Sequence, residues 1–233
     1  MFDFGIAGYR PSWLNSRSDV VREHAHRLSG LAGRTLTRAW MVWNRQDDEW
    51  FCDCPVLFDF EGEQVEINHH KFDDLSLTWN TIDPSVPVRW PGFDLQWRAE
   101  PLTGLRALRG LALQGVELLE WTGEDLAQGN VDVSFVFETG RVTVLNALDE
   151  NGLSFAPPDQ RQRPHSLNKM VSPATATAPA RPPVPTAPTT PPPGTGPAPG
   201  TPPPGHGAAR RCSSPPPSHC PPGGQGRGAP DRG

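Results

Sequence analysis

Tyrosine, lysine and long apolar runs are the scarce features of this chain. It holds one Tyr and only two Lys, Lys71 and Lys169, beside nineteen Arg. That bias, with abundant Ala, Gly and Pro, reflects coding DNA rich in G and C rather than any chemistry. No apolar stretch approaches the roughly eighteen residues that a membrane-spanning helix needs, which argues against a membrane protein. There is no G-x-x-x-x-G-K loop, no G-x-G ahead of a helix and no G-x-S-x-G. The local signatures of phosphate-cradling loops and of a serine-nucleophile elbow are therefore missing. The start, Met1-Phe-Asp-Phe-Gly-Ile-Ala-Gly-Tyr-Arg, lacks the basic opening and apolar core of a secretory signal, so a cytoplasmic location is expected. Cysteine is sparse too. Cys52 and Cys54 form a C-x-C, Cys212 and Cys220 lie far off, and four reduced thiols are expected.

What is present is unevenly distributed. All nineteen aromatic residues lie at or before Phe155, and twenty of the 29 prolines at or after Pro173. Residues 1–155 carry 13 Lys+Arg against 24 Asp+Glu, a net −11, whereas residues 156–233 carry 8 against 2, a net +6. The chain thus divides into a Trp-rich acidic domain and a basic, Pro/Gly-rich tail over 159–233. Such a tail cannot bury enough apolar surface to offset its ordering entropy, so disorder with polyproline-like states is expected. Three readings fit it: a solvated tail, a Pro-rich ligand or linker, or G+C-rich DNA read out of frame.

Residues 1–15 read as an N-terminal arm, and 16–28 as a short helix capped by Ser16 or Ser18, completing a segment over 1–30. From Leu31 onward β signals dominate. An internal duplication at an offset of 77 organises them: Leu31 to Trp43 lies over Leu108 to Glu120, Val56/Phe58/Phe60 over Val133/Phe135/Phe137, and Val65/Ile67 over Val142/Val144. One inserted residue then aligns Leu75-Ser76-Leu77 with Leu153-Ser154-Phe155. Two repeat units, about 31–80 and 108–156, are joined by a linker over 81–107 that holds an edge strand near 93–98. Each unit predicts a long strand, a hairpin and a closing strand. Phe58/Phe60 and Phe135/Phe137 occupy alternate positions and share one face of each sheet. The expected fold over 31–158 is mostly β, two duplicated antiparallel units packed as a sandwich or split barrel.

Candidate chemistry is thin. His69, His70, Asp73 and Asp74, with Cys52 and Cys54 upstream, supply zinc-ligand types and would be the residues of a small metal-dependent or hydrolytic enzyme. Their spacing matches no finger motif, and the second copy places Ala147 and Leu148 where the histidines would fall. A solvent-facing turn is the better account of His69 and His70. No catalytic residue, metal or cofactor is expected, and the chain is read as a non-enzyme. A scaffold role through the Pro-rich tail is a further alternative. The favoured partner-binding residues are Trp43, Asp73, Asp74, Asp149 and Glu150. Trp40 and Trp43 stand on opposite faces of one strand, so one of them points outward beside acidic residues, as an interface anchor would. A net −11 argues against nucleic acid, whose phosphates repel such a domain, and favours a basic protein partner.

Residues 28–158 contain Leu75-Ser-Leu-Thr-Trp-Asn, Trp90-Pro-Gly-Phe-Asp-Leu-Gln-Trp, a Leu-x-x-Leu-x-Gly opening to the second half and a close of Asn146-Ala-Leu-Asp-Glu-Asn-Gly-Leu. In this the segment resembles small, largely uncharacterised bacterial proteins of immunity-protein type. The resemblance implies a protein that neutralises a neighbouring toxin by binding it. Its motifs are structural and carry no catalytic residues to transfer.

Overall fold

The computed structural model describes residues 3–168. A first strand, β1 (Trp13–Leu14), precedes helix α1 (Arg17–Ser29), whose N-cap Ser16 accepts a hydrogen bond from the Asp19 amide at 3.1 Å. The first unit follows with β2 (Leu36–Asn44), β3 (Glu49–Trp50), β4 (Val56–Phe60), β5 (Glu63–His70) and β6 (Asp74–Trp79). Then come β7 (Leu95–Ala99) and a short helix α2 (Thr103–Leu108). The second unit is β8 (Leu113–Trp121), β9 (Val131–Phe137), β10 (Gly140–Asn146), β11 (Asn151–Ser154) and β12 (Gln162–Ser166).

The strands form two antiparallel sheets. One runs β1-β6-β5-β4-β2-β3 with β7 also paired to β2; the other runs β11-β10-β9-β8-β12. The duplication is visible in the ladders themselves. Leu36 faces Phe60 as Leu113 faces Phe137, and Phe58 faces Val65 as Phe135 faces Val142. Both long strands shift register at the same place, between Leu36 and Arg38 and between Leu113 and Gly115. The copies also meet reciprocally. The Gly33 amide donates to the Leu113 carbonyl and the Gly110 amide to the Leu36 carbonyl, each at 2.8 Å. Thr35 bridges Ala112, its own counterpart, so a local pseudo-twofold axis passes between them. Gly33 and Gly110 have φ of 87° and 84°, a region that glycine enters without strain.

The inner faces share one apolar cluster. Phe135 lies 5.0 Å from Phe58 and 5.2 Å from Phe60 between ring centroids, and all three rings are fully buried. The arrangement is a sandwich, as the alternating Phe pairs lead one to expect.

Several details depart from the expectations. The closing strands do not align through an inserted residue. Leu77 pairs with Ile67 and Leu153 with Val144, so Leu77 corresponds to Leu153, and the last hairpin of the second copy is one residue shorter. The linker over 81–107 contains α2, whose buried Leu105 and Leu108 stand 77 positions after buried Leu28 and Leu31. Each copy therefore begins with a helix, which six residues without a capping side chain scarcely announce. The edge strand expected near 93–98 is β7. Residues 162–166, assigned to the tail by composition, form β12 on the edge of the second sheet; residues 169–233 of that tail lie outside the described residues. Cys54 is a free, fully buried thiol; Cys212 and Cys220 lie outside the described residues. His69 and His70 do not form a solvent-facing turn: both belong to β5, and His69 is buried.

The N-terminal arm packs down on the first sheet. Phe4, Ile6 and Tyr9 join Val42, Leu57, Ile82 and Val88 in a second buried cluster on the outer face of the first sheet. The arm lies close on the chain there. The Arg89 amide donates to the Gly5 carbonyl at 2.8 Å, and any β-carbon at Gly5 would overlap the Arg89 backbone.

Candidate functional site

The outer faces of the two sheets differ, and that difference makes the site. On the first sheet this face carries Trp40, Leu57 and Glu66, and the N-terminal arm and residues 81–88 cover it. Glu66 is wholly buried, and its carboxylate accepts from the Ile82 amide at 2.8 Å, the Thr81 amide at 2.6 Å and Gln64 Nε2 at 3.0 Å, with Thr78 and Thr81 hydroxyls completing the shell. The equivalent positions of the second sheet are Glu117, Ser134 and Thr143. There the face stays partly open, as a cavity of about 470 Å³ between the sheet, the 122–130 loop and the 155–162 segment. A volume of that order suits a small ligand.

Asp132 lies on the cavity floor, buried, with its Oδ1 accepting from the Asn146 amide at 3.2 Å and its Oδ2 from Gln162 Nε2 at 2.7 Å. Burial pushes its carboxyl up to about 7, and the two hydrogen bonds only partly oppose that. Beside it, Thr143 Oγ1 and Ser134 Oγ are 2.9 Å apart. Trp121 forms one wall; its indole N–H donates to Asp125 at 2.9 Å and the Arg161 guanidinium sits 5.4 Å from its ring.

Three loop tips adjoin this cavity. Asn146 Nδ2 donates to the Lys71 carbonyl at 2.8 Å and the Phe72 carbonyl at 3.1 Å, and Asn130 Nδ2 also donates to the Phe72 carbonyl. These bonds tie the 71–73 turn to the 122–130 loop and to the β10–β11 hairpin. Each tip carries an exposed apolar residue: Phe72 is 58% exposed, Leu126 85% and Leu148 92%. In the hairpin tip, Leu148 and Asp149 have φ of 63° and 76°. A two-residue hairpin turn wants such angles, but from Asn or Gly rather than from Leu.

The expected partner-binding residues divide accordingly. Asp73 and Asp149 are exposed at these tips. Glu150 is half-buried, and its carboxyl is held above the usual range by burial first and then by the charge of Asp53. Asp74 accepts from Asn15 Nδ2 at 2.7 Å at the start of β6. Trp43 lies elsewhere, on β2, with its indole N–H bonded to Asp48 at 2.9 Å and the Arg98 guanidinium over its ring at 4.8 Å. Those two donors hold the Asp48 carboxyl below its ordinary value. Trp43 thus already stacks on a cation of this chain.

The residues of the alternative metal or hydrolytic reading are not brought together. His69 points toward the second sheet, its Nε2 3.4 Å from the Val144 carbonyl, and burial lowers its pKa to about 4. His70, on the other face, stacks on Trp13 with centroids 5.4 Å apart and meets Phe4 edge-on. Among the described residues no group of three or more His, Cys, Asp or Glu could hold a metal ion, and no helix is long and apolar enough to cross a membrane.

Asp132, Asn130 and Gln162 escaped the sequence reading. The available signal was the comparison of the copies at the 77-residue offset. Pro55, Leu57 and Trp40 become Asp132, Ser134 and Glu117, which marks one outer face as polar. Comparison with protein-family models, curated proteins and solved structures returns no match to this chain.

Proposed function

We propose that this chain is a non-enzymatic, acidic protein-binding domain that engages a basic partner through its three adjoining loop tips, in the manner of an immunity protein that neutralises a toxin. The observation that carries the reading is the exposure of Phe72, Leu126 and Leu148 at tips that also hold Asp73, Asp149 and Glu150. Exposed large apolar side chains with a mainly acidic rim, in which Lys71 of the 71–73 turn is a basic exception, suit an interface core and its steering rim. The net −11 of residues 1–155 adds a long-range attraction for a basic protein. Leu148 supports the reading further, because it takes up a left-handed backbone conformation while burying almost nothing. A residue selected for the fold alone would be Asn or Gly there.

The test is charge reversal. Asp149→Lys with Glu150→Lys should weaken binding to a basic partner recovered on the full-length chain, slow its association at low salt, and leave the melting temperature unchanged. Unaltered affinity for that partner contradicts the reading.

A further inference from the structure

We propose that the cavity on the outer face of the second sheet binds an organic cation, a guanidinium or ammonium group carried on a small molecule or on a side chain. Among the described residues the lining carries two carboxylates, Asp132 and Asp159, and no basic residue. Asp132 is 8% exposed, and among the described residues it accepts only from the Asn146 amide and Gln162 Nε2. A carboxylate offers about four acceptor positions, so lone pairs remain for a donor inside the cavity. Asn130 and Asn146 also line the cavity, with their Nδ2 groups held by the carbonyls of the 71–72 turn, and Trp121 gives an aromatic wall that has the Arg161 guanidinium 5.4 Å from its ring. An ion entering there would replace water around a buried carboxylate with a charge-assisted hydrogen bond. A neutral ligand would leave that carboxylate without a counter-charge.

The contrast with the first copy strengthens the assignment. There the buried carboxylate, Glu66, is saturated by five donors from the chain, and the face above it is closed. In the second copy the carboxylate sits one strand over, takes two donors and faces open space. The inference goes beyond the protein-binding proposal and needs no protein partner.

The experiment is a titration of the isotope-labelled full-length chain with Nα-acetyl-arginine amide and with its uncharged analogue Nα-acetyl-citrulline amide, followed by amide and indole NMR shifts. The arginine compound should shift Asp132, Asn146 and the Trp121 indole saturably. The citrulline compound should bind about tenfold more weakly or worse, and Asp132→Asn, at unchanged fold, should abolish that preference. Equal binding of the two compounds, or no saturable shift by about 10 mM arginine compound, overturns the proposal. A capped Gly-Gly-Arg-Gly-Gly peptide and agmatine then separate the sources. Binding of the peptide assigns a protein side chain, and binding of agmatine alone assigns a free small cation.

Discussion

Asn151 in the second repeat and Asn68 in the first are joined side chain to side chain at 2.6 Å, and both are buried. Asn151 Nδ2 also reaches the Cys52 carbonyl at 2.8 Å and the Cys54 carbonyl at 3.0 Å, while its Oδ1 accepts from the His69 amide at 2.8 Å. One amide thus stitches β11 to β5 and to the 52–54 turn. It also holds the base of the 147–150 tip against the first sheet. Asn151→Ala strands these buried groups and should cost about 2–4 kcal/mol in urea unfolding. A loss below about 1 kcal/mol would mean that the stitch is incidental.

The shared core gives a second expectation. Phe135 sits between Phe58 and Phe60 of the other repeat, so Phe135→Ala opens a void at the sheet interface. The expected destabilisation is about 3–5 kcal/mol, with both sheets unfolding in one transition. Two separated transitions would show that the repeats do not share a core.

Asp132 should make stability depend on pH in a particular direction. Its folded pKa of about 7 lies above the ordinary carboxylate value of 3.8, so its contribution is fully present below about pH 3.8 and is lost as pH rises through 7. The cause is burial, opposed by the hydrogen bonds from the Asn146 amide and Gln162. Asp132→Asn should therefore raise the melting temperature relative to wild type more at pH 8 than at pH 5. A difference independent of pH would contradict the buried, uncompensated carboxylate.

His69 acts from the other side of the scale. Its pKa, about 4 in the fold against an ordinary 6.5, means that its contribution is present above pH 6.5 and is lost as pH falls through 4. His69→Gln should flatten the acid limb of a stability–pH profile between about pH 6.5 and 4. An unchanged limb would assign acid unfolding to other groups.

The hairpin tip offers a trade-off. Leu148→Asn with Asp149→Gly supplies the residues that positive φ prefers and should stabilise the domain by about 1 kcal/mol. The same double variant should bind the basic partner more weakly, because it removes the most exposed large apolar side chain among the described residues and one acid. Stabilisation with undiminished binding would remove Leu148 from the interface.

The β architecture was legible because Phe58/Phe60 and Phe135/Phe137 alternate, and because the repeat at 77 residues carries the pattern twice. Helix α2 was not, since a six-residue helix is held by the burial of Leu105 and Leu108 rather than by a cap or a periodic stretch. Strand β12 was hidden by Pro164 and by flanking tail-like composition; it forms because β8 leaves an edge to pair. The loop acids Asp73, Asp149 and Glu150 could be read from charge and turn residues alone. Their conjunction with Phe72 and Leu126 depends on hydrogen bonds from Asn130 and Asn146 that no local pattern encodes. Strand parity points one of Trp40 and Trp43 outward, but it says nothing of the Arg98 guanidinium that covers the Trp43 ring.

The central claim is that the three loop tips hold a basic protein. Its most direct measurement is capture from lysate of the source organism on the immobilised full-length chain, run in parallel with a Phe72→Ser, Leu148→Asn, Asp149→Lys variant of matched melting temperature. The account predicts a basic protein retained by the wild type at low salt and lost on the variant. Equal retention on both surfaces, or no basic protein on either, would contradict it.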